Sequence, residues 1–326
     1  MKTTFNHCLK TILFFTAITF LSCSDKELTY EGEQSQNVEE KISIVKFENF
    51  DEFNKLIDQL SFLSNDELEY WIEQNNPDAL YSSNKVKEDQ YNLPESYLAI
   101  FNSQSEIKFQ DKILWLNASN IYELELNNDR TFLKNDVDNL KPIGEISVKV
   151  YKLNNQDDPK STIVDSNGGL SAKYQHEFQG LEFRDCSNNY RSINARLKYV
   201  HEILSIQSFF GLGAASSKLY LRVKLEWRGR GSWKRAGEPR NISVNLNLNN
   251  TKLSFFTNGI PSETLIYNPS SINVNYTCSG DKSILLKSSD SYGTGAGYPS
   301  WIVNTSGTIS QELHGGYHEW SHFANW

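Results

Sequence analysis

Residues Asn241 to Asn249 read NISVNLNLN, with Ile242, Val244, Leu246 and Leu248 alternating against Asn241, Ser243, Asn245, Asn247 and Asn249. A period of two puts the apolar set on one face of a strand and the amides on the other, the habit of an antiparallel sheet with one face buried and one wet. Three other stretches repeat it. Ile193, Ala195, Leu197, Tyr199 and Ile203 mark a long strand; Leu219, Leu221, Val223, Leu225 and Trp227 mark a second; Ile272, Val274, Tyr276 and Cys278 mark a third. Thr308 to Leu313 also alternates, and the aromatic residues after Gly315-Gly316 predict that the last stretch is a strand. Several such strands separated by Gly and Asn turns predict a sandwich-like antiparallel β domain over residues 140–326.

Upstream the period changes. Phe53, Leu56, Ile57 and Leu60 share a helical face behind Asp51, a candidate cap. Ser64 and Glu67 have capping-box spacing, and Leu68, Trp71 and Ile72 continue the stripe to Asn75-Asn76-Pro77. Leu93-Pro94-Glu95-Ser96 starts a short helix through Phe101. Strand signals follow at Glu106 to Phe109, Lys112 to Leu116, Ile121 to Leu124 and Glu145 to Leu153. The expected fold class is therefore α+β: a small N-terminal helical and short-strand domain over 45–135, a boundary near Asp136 to Pro142, then the larger β domain.

The chain starts with an address. Thr11 to Leu21 carries no charge and follows Lys2 and Lys10, the shape of an export signal. It is too short for a membrane that needs about 20 helical residues. Phe20-Leu21-Ser22-Cys23 resembles the lipobox of bacterial lipoproteins, which implies that 1–22 is a lipoprotein signal peptide and that Cys23 is acylated. The competing reading is an ordinary signal peptide in which Cys23 has no special role. Ser24-Asp25-Lys26-Glu27 resembles the acidic tags that send lipoproteins of Bacteroidetes-type bacteria to the outer face of the outer membrane. Residues 23–44 are polar, with Glu31, Glu33, Glu39 and Glu40, and read as an acidic flexible tether.

Val45 to Leu126 in turn resembles a group of Bacteroidetes surface lipoproteins of unknown function. The shared features are the helix pair with Trp71 in its second helix, Tyr97-Leu98-Ala99-Ile100-Phe101-Asn102, and the strand, turn and strand of Ile107 to Ile113. Gln110 stands where that group normally has a glycine. The resemblance implies an outer membrane lipoprotein facing the cell exterior and carries no activity with it.

Formal net charge is −8, and loss of Lys2 and Lys10 with the leader lowers it by two more. Such a chain is a poor partner for nucleic acid and leaves membrane attachment to the lipid anchor. Of four cysteines, Cys8 lies in the leader and Cys23 at the anchor. Cys186 and Cys278 remain, either as a disulfide in an oxidising compartment or as two separate buried thiols.

Two constellations carry candidate chemistry. His318-Glu319-Trp320-Ser321-His322 matches the HExxH of zinc peptidases, in which a helix aims both histidines at one metal. Read as a strand, the same residues place His318 and His322 about 13 Å apart. His314 extends the spacing across the Gly pair. The second constellation is basic and aromatic: Arg222, Lys224 and Arg228 on the expected wet face of one strand, then Arg230, Trp233, Lys234, Arg235 and Arg240 around its turn. Arg and Trp together hold carboxylates, sulfates or sugars by forked hydrogen bonds and stacking. The structural alternative is a solvated strand edge.

His201, on an apolar face, reads as a hydrogen-bonded core residue. Tyr292 to Trp301 has the composition of an aromatic loop and lacks the strand-to-helix setting of a dinucleotide site, so no cofactor is expected. The sequence thus points to a non-enzymatic envelope lipoprotein binding an extracellular glycan or protein. A zinc hydrolase and a structural subunit of an envelope complex are the alternatives.

Overall fold

The computed structural model describes residues 43–84, 91–125, 134–151, 173–179, 183–188, 190–191, 195–211, 213–228, 231–248, 251–257, 260–265, 269–292, 300–314 and 318–326. The leader, Cys23, the tether to residue 42, Arg230 and the loop 293–299 lie outside them. Residues 42–326 form one compact unit. It is mostly β, with antiparallel sheets and a few short helices.

The helices come first. After β1 (Lys46–Phe47) run α1 (Phe50–Ser61), α2 (Asn65–Asn75), α3 (Leu80–Asn84) and α4 (Glu95–Ile100). Asn49, not Asp51, caps α1: its backbone is extended, and its Oδ1 accepts from the Glu52 N–H at 2.9 Å. Asp51 sits instead in the first turn, where its charge suits the helix dipole. The Ser64/Glu67 capping box starts α2.

The strands then follow: β2 (Glu106–Phe109), β3 (Lys112–Asn117), β4 (Asn120–Leu124), β5 (Gly144–Val150), β6 (Lys173–Gln179), β7 (Phe183–Arg184), β8 (Tyr190–Arg191), β9 (Arg196–Phe209), β10 (Ala214–Arg228), β11 (Trp233–Arg235) and β12 (Arg240–Asn247). The last seven are β13 (Lys252–Thr257), β14 (Ile260–Leu265), β15 (Pro269–Thr277), β16 (Asp281–Tyr292), β17 (Ser300–Ile302), β18 (Ser306–Leu313) and β19 (Glu319–Asn325).

The largest sheet runs β1-β2-β3-β4-β5-β9-β10-β11, with β6 also on β9 and β16 also on β10. A four-stranded sheet runs β15-β12-β18-β19, and a three-stranded one β14-β13-β17. The residues expected at a domain boundary, 136–142, fall between β4 and β5, which pair with each other inside the large sheet.

The long strands β9 and β10 are buried on both faces. Leu204, Ile206 and Tyr220 face one core with Phe53, Ile57 and Tyr97 of the helices, while Ile203, Leu219, Leu221 and Val223 face another with Ile242, Val244 and Leu246 of β12. Each fully buried large side chain contributes about 1.5–3 kcal/mol, so these strands tie the helical layer to both sheets. Gly211 turns β9 into β10 at φ +69°, and a Cβ there would sit 2.2 Å from the Ile143 carbonyl oxygen. Only glycine meets both conditions.

Candidate functional site

Burial on both faces takes Arg222 out of the basic patch expected on β10. The face read as wet is covered by the helical layer, and Arg222 is 2% exposed. Its guanidinium donates to the Asn92 side chain and, at 2.7 Å, to the Asn92 carbonyl. Lys224 reaches Glu202 at 3.0 Å, and Arg235 reaches Asp281 at 3.1 Å. Arg240 is buried and donates to the Ser279 carbonyl at 2.6 Å; burial pushes its pKa down to about 10. Lys198 covers the Trp233 ring at 4.2 Å and pairs with Glu226 at 2.8 Å. Arg228 and Lys234 are exposed. Within the cluster, Lys224 and Arg235 are matched to acids, Arg222 and Arg240 are buried against polar groups, and Arg228 and Lys234 remain on the surface.

The HExxH residues lie on strand β19 and just before it. Glu319 is exposed on one face; His318, Trp320 and His322 point the other way, against β6 and β9. His318 stacks on Phe178 at 3.8 Å between centroids, Trp320 on His201 at 4.6 Å, and His322 lies 4.5 Å from Tyr174. Four residues along a strand span about 13 Å, against metal–nitrogen bonds near 2 Å, so His318 and His322 do not share one zinc ion. Among the described residues no three His, Cys, Asp or Glu side chains are grouped to hold a metal.

His201 is fully buried and its hydrogen bonds fix its tautomer. The Gln311 Nε2 amide donates to the Lys224 carbonyl at 3.2 Å and to His201 Nε2 at 2.8 Å. His201 Nδ1 therefore carries the proton and donates to His322 Nε2 at 2.7 Å. Burial first, then the neighbouring His322 and Arg240, hold the His201 pKa well below the usual imidazole range. This is a neutral joint, built for packing.

Cys186 and Cys278 are joined in a disulfide, with Cα atoms 5.9 Å apart. It ties the chain ahead of β9 to the end of β15.

A concavity opens elsewhere, where the α1–α2 turn meets β15 and β16. A groove of about 300 Å³ is lined by Phe62, Leu63, Ser64, Ile272, Val274 and Lys282, among others. Phe62 stands at its rim, 74% exposed. A shallower hollow continues past Leu63 and Glu67 along α2 to Tyr70, itself 65% exposed, and Trp71.

Lys282 is only 7% exposed. Its ammonium donates to the Leu63 carbonyl at 2.9 Å and to Asn65 Oδ1 at 3.3 Å. Asn65 is oriented by donating its Nδ2 to Thr277 Oγ1 at 2.8 Å. Burial lowers the Lys282 pKa, against the opposing pull of Glu95 and Glu67. Both carboxylates bond elsewhere: Glu67 accepts from Ser64 N and Oγ, and Glu95 accepts from the Ser283 N–H.

Sequence reading missed this groove because three separate segments build it. The visible signal was Phe62-Leu63, two apolar residues in a helix-to-helix turn where polar residues are usual.

No family model matches the chain, and no curated protein matches it. Among solved structures, a DUF4848 family protein from Bacteroides thetaiotaomicron aligns over 87% of this chain and 97% of its own, at 11% identity and a TM-score of 0.18. A likeness at that level carries no argument about architecture or activity.

Proposed function

We propose that this chain is a Bacteroidetes-type outer membrane lipoprotein, acylated at Cys23 and facing the cell exterior, that binds a ligand without chemical turnover in the groove between the α1–α2 turn and β15. The anchor rests on the charge-free leader and the lipobox-like residues 20–23; the acidic tether lets the folded part stand off the membrane. In this reading the four-stranded sheet is half of a sandwich whose open edge holds the ligand.

The observation that carries the binding reading is the groove itself: a half-open, largely apolar concavity with an exposed phenylalanine at its rim. Ligand sites are concave and mostly apolar, with a few placed polar groups. Titration of the full chain carrying Cys23→Ser with the neutral dye N-phenyl-1-naphthylamine tests it. Saturable fluorescence that Ile272→Trp abolishes and Phe62→Ala weakens is the expected result. No saturable binding, or binding indifferent to both changes in variants that melt like the parent, refutes the groove.

A further inference from the structure

We infer that the groove takes a medium-chain fatty acid, its carboxylate on Lys282 and its hydrocarbon against Phe62, Leu63, Ile272 and Val274. This rests on the groove being the binding site, as proposed above.

Other lysines shielded from water meet a carboxylate. Lys198, Lys218 and Lys224 each have a carboxylate oxygen within 3.0 Å, supplied by Glu226, Asp58 and Glu202. That is expected, since an uncompensated charge away from water is costly. Lys282 has two neutral acceptors, Leu63 O and Asn65 Oδ1, and lines a groove. An ammonium has three N–H groups. In this assignment the third meets an acceptor in the groove, and an anion there supplies what Asp58 supplies to Lys218.

The surroundings restrict the anion. One lysine offers one positive charge, while Glu67 also lines the groove and Glu95 lies near enough to act on Lys282. Both acids repel any anion placed there, and a dianion such as a phosphate monoester would meet about twice the repulsion of a monocarboxylate, whose single charge the one cation matches. Much of the remaining wall is apolar: Leu63, Ile272, Val274, Ile284 and Leu285 give the body of the ligand hydrocarbon to lie on, beside the polar Ser61, Ser64, Asn273 and Asn275. At about 300 Å³ the space is at the lower end of small-ligand sites, which run roughly 300–1,000 Å³. A medium-length chain fits, and a phospholipid does not.

Calorimetric titration of the full chain carrying Cys23→Ser with octanoate, octanol, octylammonium and the peptide acetyl-Ala-Leu tests the assignment. Octanoate is expected to bind at least about tenfold more tightly than octanol, the worth of one charged hydrogen bond. Octylammonium and the peptide should bind more weakly than octanoate. Lys282→Met should bring octanoate down to the octanol level and leave octanol unchanged, with Lys282→Gln as a second variant that keeps a polar tip. Octanol binding as well as octanoate, or Lys282→Met binding octanoate like the parent, overturns the assignment while leaving the groove intact. The peptide binding more tightly than octanoate overturns the fatty acid in favour of a chain terminus. Failure of octanoate, octanol and the neutral dye together removes the groove reading as well.

Discussion

The four-stranded sheet has two edges, and they end differently. At β19 the inward residues His318, Trp320 and His322 are half-buried rings that stack with Tyr174, His176, Phe178, Tyr199 and His201, and this stacking seals the edge against the large sheet. At β15 the inward residues Ile272 and Val274 are half-buried aliphatics, and the space they leave is the groove. Both edges obey the same period of two. The width of the inward side chain decides whether an edge closes or stays open, since an aromatic ring buries about 150–250 Å².

The largest test of that contrast concerns how each edge is tied. The open edge depends on the disulfide at the end of β15. Replacing both Cys186 and Cys278 by Ser should cost about 4 kcal/mol in urea unfolding, from the long loop the bond closes. Trp320→Ala should open the sealed edge and cost about 3 kcal/mol, and it should newly expose the β6–β19 joint to dye. If the two variants are equally stable to the parent, neither tie matters.

Between about pH 7.5 and 5, acid should act on the sealed edge. His201 and His318 have folded-state pKa values below their unfolded value, His318 through burial and then His176. The unfolded chain therefore binds more protons than the folded one. Stability is full above about pH 6.5 and falls as pH drops below it, by up to about 1.4 kcal/mol per pH unit for each histidine kept neutral. Urea unfolding from pH 7.5 to 5 checks this, and His201→Gln should flatten the slope. Stability that rises on acidification would mean the imidazoles are charged in the fold.

The smallest effect belongs to the open edge. Lys282 is a buried cation whose folded pKa is depressed, so at neutral pH it is carried at a cost to stability. Lys282→Met removes that cost but leaves the Leu63 carbonyl and Asn65 Oδ1 without their donor, so it should lower stability by about 1 kcal/mol, measured by urea midpoint at unchanged slope. A gain in stability would show that the ammonium does not hold the α1–α2 turn.

Much of this architecture is legible in single stretches. The Asn/Ile alternation of β12, the capping box of α2 and the aromatic strand at the chain end are local patterns, and local hydrogen bonding and sheet pairing keep them. Harder to read are strands covered twice. In β16, Ile284 and Leu286 face the second sheet and Leu285 the helices, so the run lacks alternation. Arg222 looked wet because its cover, Asn92, lies 130 residues away. The turn at Gln110 is informative too: its φ of 56° is the left-handed conformation that favours glycine. The candidate site was the least legible, because a groove built from the turn at Phe62, the edge at Val274 and the strand at Lys282 has no pattern in any one of them.

Hydrogen exchange with and without octanoate tests the contrast between the two edges most directly. Slowed exchange at 61–67, 271–275 and 282–285, with 318–326 unchanged, is the predicted result. Protection at 318–326 instead, or no protection around Lys282 despite bound octanoate, would contradict it.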